Sequence, residues 1–172
     1  FRKSDNFDVY QFNYKKCCKV LKEKFGENFV MLIRLHPNLA DKSNNFKYDN
    51  VIKNASDYPD MQELLAVADV IITDYSSVSF EVGLVNKPSF ILAKDLEEYV
   101  TNDRKFLYEI NELPFEIATT EEELYKNILN FSCKKYNKKC EEFYKSIGIV
   151  HNGNSSKDLV KIIKERIECS ND

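Results

Sequence analysis

Short apolar runs alternate with stretches of helical period along this chain, and that alternation constrains its fold more than any other feature. The runs are FVMLIRL (29–35), a shorter one from Asn50 to Lys53, then DVIIT (69–73), SFILA (89–93) and FEIA (115–118). They are too short for helices, and the longest are apolar on consecutive residues rather than on every second one. Such runs are strands buried on both faces. Between them lie helical patterns. Residues 8–25 carry Tyr14, Cys17, Leu21 and Phe25 on one face and stop at Gly26. Asp60 and Glu63 form a capping box before Met61, Leu64, Leu65 and Ala68. Val78 to Asn86 is helical until Lys87-Pro88. Thr120 and Glu123 form a second box ahead of Leu124, Ile128 and Phe131. A helix over 136–146 follows, and Ser155 caps a last one with Leu159, Ile163 and Ile167 turned inward. Residues 39–47 read as a loop, and 95–114 as irregular with small helical pieces. Strands alternating with helices predict an α/β fold: a parallel sheet with helices on both faces.

The 172 residues suit one domain, 1–172, with a proper core. Hydrophobic content of 43% and charged content of 31% belong to a globular chain. A net charge of −3 gives no reason to expect nucleic acid or an anionic membrane as a partner. No apolar run is long enough to cross a bilayer. The chain begins at Phe1 without a signal-like segment, and it is read as a piece of a longer protein. Its five cysteines include no C-x-x-C pair, so reduced thiols are expected. Cys133 and Cys140 could share a helix face, but the spacing of Cys and His disfavours a zinc site.

Ligands of open α/β sheets bind outside the carboxyl ends of the strands. Those ends carry Arg34, His36 and Pro37 after the first run, Thr73-Asp74-Tyr75-Ser76-Ser77 after the third, and Lys94-Asp95 with Glu97-Glu98-Tyr99 after the fourth. Ser76-Ser77 stands where a helix begins. Free N–H groups there suit a phosphate, but a serine in that place is equally an N-cap. Asp74 suits the role of a brace that accepts from backbone N–H groups of the turn. His36 supports either a backbone hydrogen bond before Pro37 or a phosphate donor and general acid. No Walker loop, G-x-G-x-x-G, G-x-S-x-G or H-E-x-x-H occurs.

Arg34-Leu35-His36-Pro37, Ala68 to Ser77 (ADVIITDYSS) and Asn86-Lys87-Pro88 together resemble the CDP-glycerol glycerophosphotransferase family, the teichoic acid primases and polymerases. Asp95-Leu96-Glu97-Glu98-Tyr99, Leu113-Pro114, Thr120 to Leu124 and Asn152 to Ser156 extend the likeness. The resemblance implies a Rossmann-like domain forming the C-terminal, donor-binding half of a GT-B architecture. An acceptor half with its own histidine, and the membrane contact, would lie in the full-length protein at the cytoplasmic face of the membrane. It further implies that His36 assists departure of CMP and that Arg34, Thr73, Ser76 and Ser77 hold the donor phosphates. Arg104, Asn154 and Ser155 would add contacts to phosphate, and Asp57-Tyr58-Pro59 would lie at the nucleobase. No cofactor is implied, although a pyrophosphate donor can bring Mg²⁺ with it. The partners implied are CDP-glycerol and a polymer or lipid-linked acceptor. Lys105, Phe115-Glu116 and Asn152 depart from the family's usual Gly, Gly-Pro and Asp. Two other readings stay open: a donor such as CDP-ribitol or a UDP-sugar, and a catalytically incomplete nucleotide-binding domain.

Overall fold

The computed structural model describes residues 12–26, 28–103, 107–149 and 153–169. The order is α1 (Tyr14–Phe25), β1 (Met31–Ile33), a 3₁₀ helix (Pro37–Asn45), β2 (Ile52–Asn54), α2 (Met61–Val67), β3 (Ile71–Thr73), α3 (Val78–Leu84) and β4 (Ser89–Leu92). Then come α4 (Leu96–Glu98), a π-helical turn (Tyr99–Asp103), a 3₁₀ turn (Ile110–Glu112), β5 (Glu116–Ala118), α5 (Glu121–Asn130), α6 (Cys133–Ser146) and α7 (Ser155–Cys169). All strand pairs are parallel. Among the described residues, hydrogen bonding divides them into β1–β2 and β3–β4–β5.

β4 is buried along its whole length, as its continuous apolar run predicts. Side chains alternate across a strand, so Ser89 and Ile91 face one way and Phe90 and Leu92 the other. The Ser89 hydroxyl donates to that of Ser79 on α3 at 3.0 Å, both fully buried. The Phe90 ring meets Phe131, at the end of α5, edge-on at 5.3 Å. Helices therefore cover both faces. Met31 packs against this core and also against a second cluster of Ile33, Leu35, Phe46 and Ile52, joining the two sheets.

The turn from α3 into β4 is held from three sides. Asn86 adopts φ 58°, a left-handed conformation that asparagine tolerates better than most residues, and it ends α3. The Lys87 ammonium donates to the carbonyls of Leu65 and Ala66 at 2.8 and 2.6 Å, capping the end of α2. The Tyr136 phenol on α6 donates to the Lys87 carbonyl at 2.8 Å.

Several elements differ from their sequence reading. Helix α1 starts at Tyr14, capped by the Asn13 side chain, which accepts from Lys16 N–H; residues 8–11 of the expected helix lie outside the described residues. The expected loop at 39–47 falls largely within the 3₁₀ helix, opened by Pro37. Asp60 does cap α2, but the Glu63 carboxylate accepts from the Tyr58 phenol at 2.6 Å instead of completing a box. Ser155 is the first residue of α7 and not its cap. The face of α7 expected inward is exposed, with Leu159 at 57%, Ile163 at 48% and Ile167 at 58%; no element of the described residues covers it. Cys133 and Cys140 both lie on α6, seven residues apart and so on one face; Cys140 is buried, while Cys133, in the first turn, is exposed.

Gly83 tests this packing. Gly→Ala in a helix interior ordinarily gains about 1 kcal/mol. Here a Cβ would overlap the Tyr144 hydroxyl and press on Phe115 Cε1 at 3.1 Å. Gly83→Ala is expected to cost about 1–3 kcal/mol in urea unfolding. Adding Tyr144→Phe should cost less than the sum of the two single changes, although Tyr144 donates to the Phe80 carbonyl at 2.7 Å. A stabilised Gly83→Ala protein would contradict this interface.

Candidate functional site

Parallel pairing sends the carboxyl ends of β3, β4 and β5 to one edge, and those of β1 and β2 likewise. At the β1–β2 edge the backbone is tied tightly. Ala55 N–H donates to the Ile33 carbonyl at 2.8 Å and Leu35 N–H to Ser56 Oγ at 3.2 Å. Arg34 reaches across this edge, and its Nη1 donates to the carbonyls of Ala55 at 3.1 Å and Tyr58 at 2.5 Å. The guanidinium thus clamps the loop after β2. That loop lines an open cleft of about 480 Å³, with Asp57, Tyr58 and Pro59 on its rim, Leu32 and Leu64 as apolar walls, and Asn54 and Ala55 completing it. Its volume is within the range usual for small-molecule sites. The Tyr58 phenol is held in its protonated form by its bond to Glu63, then by desolvation and Asp60.

His36 is exposed and caps the 3₁₀ helix: its Nδ1 accepts from Asn38 N–H at 3.2 Å. With Nδ1 accepting there, Nε2 is the ring position that can donate to a ligand.

At the end of β3, Thr73 stands in register with Ile91 of β4. Ser76 Oγ accepts from Val78 N–H at 3.4 Å, whereas Ser77, at the N-cap position, makes no capping bond with its side chain. The cap is therefore Ser76, and the exposed Ser77 hydroxyl is not used for it. Asp74 stands at the bend just before. Tyr75, in the same turn, stacks on Tyr99 at 3.9 Å between ring centroids, and its phenol donates to Asp95 Oδ1 at 2.9 Å. Nothing in the sequence alone distinguished Tyr75. Lys94, the residue after β4's buried run, pairs with Glu121 at 2.8 Å.

The structure thus brings Arg34 onto the loop of Asp57, Tyr58 and Pro59, and holds Thr73, Asp74, Ser76 and Ser77 in one turn. Asn154 and Ser155 stand exposed at the start of α7, where the Asn154 carbonyl accepts from Asp158 N–H. Arg104 lies outside the described residues. Among the described residues, no group of three or more His, Cys, Asp or Glu is placed to hold a metal ion. No described helix is long and apolar enough to cross a membrane.

The family model of CDP-glycerol:poly(glycerophosphate) glycerophosphotransferase matches residues 1–165. The chain belongs to that family. A teichoic acid poly(glycerol phosphate) polymerase of Staphylococcus epidermidis is 31% identical over 162 residues, covering 92% of this chain and 22% of that protein. A teichoic acid poly(ribitol-phosphate) polymerase of Bacillus spizizenii is 32% identical over 119 residues, 68% of this chain and 19% of its own length. Among solved structures, a variant of the wall teichoic acid polymerase TagF soaked with CDPG superposes with a TM-score of 0.70 at 28% identity, over 100% of this chain and 43% of that one. This glycerophosphotransferase-family chain therefore spans less than half the length of these relatives.

The ion pair at this edge has a pH signature. Burial alone would raise the Glu121 pKa, but bonds from Lys94, Asn13 N–H and the Tyr125 phenol, with the Lys94 charge, lower it overall. A lowered folded-state pKa adds stability above the ordinary carboxylate range, lost as pH falls through the folded value. Glu121→Gln is expected to cost about 2 kcal/mol at pH 7 by denaturant unfolding, and the difference should shrink steadily in acid. A pH-independent difference would show that the charge is not what matters there.

Proposed function

We propose that this chain is the donor-binding, Rossmann-like half of a GT-B glycerophosphotransferase that moves glycerol phosphate from CDP-glycerol to an acceptor hydroxyl in teichoic acid or capsule-type polymer synthesis. The observation that carries this reading is the cleft walled by Asp57, Tyr58 and Pro59 and clamped by Arg34, two residues before His36 on the same strand end. The nucleobase enters that cleft, and the Asp57 carboxylate suits the exocyclic amine of cytosine. Thr73, Ser76 and Ser77 receive the pyrophosphate, with Asp74 bracing their turn. Arg104, Asn154 and Ser155 add phosphate contacts. Arg34 serves the donor chiefly by fixing the loop.

In the reaction, the acceptor oxygen attacks the β-phosphorus of CDP-glycerol in line. A new O–P bond forms, and the bond from the β-phosphorus to the bridging oxygen breaks and releases CMP. A base in the other half of the full-length protein takes the acceptor's proton. The Nε2–H of His36 stabilises charge on the departing CMP, and most of the barrier reduction comes from positioning and charge stabilisation. Mg²⁺ can accompany the donor. The full-length protein works at the cytoplasmic face of the membrane, which it meets through its other half.

Ribitol is a second reading of the polyol, supported by one observation: the likeness to a ribitol-phosphate polymerase spans 119 residues of this chain, against 162 for the glycerol-phosphate polymerase. The cleft addresses the nucleotide end, which CDP-ribitol shares.

His36→Ala in the full-length protein is expected to lower turnover with CDP-glycerol by about 10²–10³-fold, the usual loss when one donor to developing charge is removed. A rate within threefold of wild type would remove His36 from the mechanism.

A further inference from the structure

Asp95 stands at the N-cap position of α4, where an aspartate ordinarily accepts from its own helix's N–H groups. It makes no such bond. Its carboxylate instead reaches to the strand end beside it and accepts the Tyr75 phenol at 2.9 Å. Its backbone carbonyl accepts Tyr99 N–H at 2.8 Å, and the Tyr99 ring lies nearly parallel to that of Tyr75, with 17° between planes. A single residue after β4 is therefore bonded to both members of an aromatic stack, to one through its side chain and to the other through its backbone. One ring belongs to the turn carrying Ser76 and Ser77, and the other opens the π-helical turn that runs to Asp103. Both rings are half-buried, and Tyr75 also packs against the main core.

We propose that Tyr75 is a positioning residue that locks the β3–α3 turn to the segment after β4, so that Ser76 and Ser77 are presented to the donor as one preformed edge. The role rests on the donor-site reading above. Short turns with exposed hydroxyls have many conformers, and ordering them on binding costs affinity. The Tyr75–Asp95–Tyr99 unit removes that cost beforehand. Tyr75 contacts no reacting atom in this scheme. Its effect falls on donor binding in ground and transition states alike, which raises KM and spares kcat.

The test uses the full-length protein and CDP-glycerol. Tyr75→Phe keeps the stack and removes the hydrogen bond; it is expected to raise KM for the donor about 5- to 20-fold, leaving kcat within twofold and the thermal midpoint nearly unchanged. Asp95→Ala should match it, the double variant should be no worse than either single one, and Asp95→Asn, which can still accept, should be near wild type. Amide hydrogen exchange without donor is the independent arm. Tyr75→Phe should speed exchange in 73–80 and 95–103 together and nowhere else. Unchanged exchange in those segments, or multiplying effects of Tyr75→Phe and Asp95→Ala, overturns the positioning role whatever the donor does. Faster exchange in a protein whose wild type binds no cytidine donor upholds the coupling and overturns the donor reading instead.

Discussion

The burial of β4 is the constraint on which the rest of this molecule depends. Ser89 to Leu92 pairs in parallel on both sides, and its two faces are closed by helices. A parallel strand so placed has no freedom of register, because a one-residue slip would exchange Phe90 and Ser89 between faces built for a ring and for a hydroxyl. Fixing β4 fixes the carboxyl ends of β3 and β5, and with them the turns that carry Thr73, Ser76, Ser77 and Lys94. The lysine of the preceding turn closes α2 and accepts Tyr136 through its carbonyl, so α2 and α6 are both referred to the same strand.

Site and scaffold are joined by side chains that end on backbone or on one another. Arg34 holds two carbonyls of the loop at the cleft, and Tyr75 holds the carboxylate after β4. Both act on the shape of neighbouring turns. Loops positioned by a rigid scaffold are the usual bearers of binding groups. In this chain the stiffening is local and polar, and the small strands, three or four residues each, are sufficient because the turns carry their own restraints.

Much of this was legible in the sequence. The runs located the five described strands, but burial on both faces holds along the whole length of β4 alone: Leu32 of β1 and Lys53 and Asn54 of β2 are exposed, because nothing among the described residues covers them. The Thr120–Glu123 box was also legible, and both its reciprocal bonds are present. The strands are shorter than their runs because hydrophobicity continues past the last ladder bond: Phe29 packs on the core without pairing. The α7 face misled for a related reason. Periodicity at Leu159, Ile163 and Ile167 reports that a face is apolar, not what covers it. Arg34 carries a phosphate role through the resemblance; its Nη1 bonds to two carbonyls of the loop after β2 could not be read from the sequence, because those carbonyls lie 21 and 24 residues away. Tyr75 carried no sequence signal, as its partners lie 20 and more residues away.

If these strand ends form a cytidine-donor site, calorimetric titration of the full-length protein will show it in the ranking of nucleotides. CDP-glycerol and CMP should bind, CDP-ribitol should bind within about tenfold of CDP-glycerol, and UDP- and GDP-sugars should bind at least tenfold more weakly. Equal or tighter binding of a UDP- or GDP-sugar would show that the strand ends do not form a cytidine site.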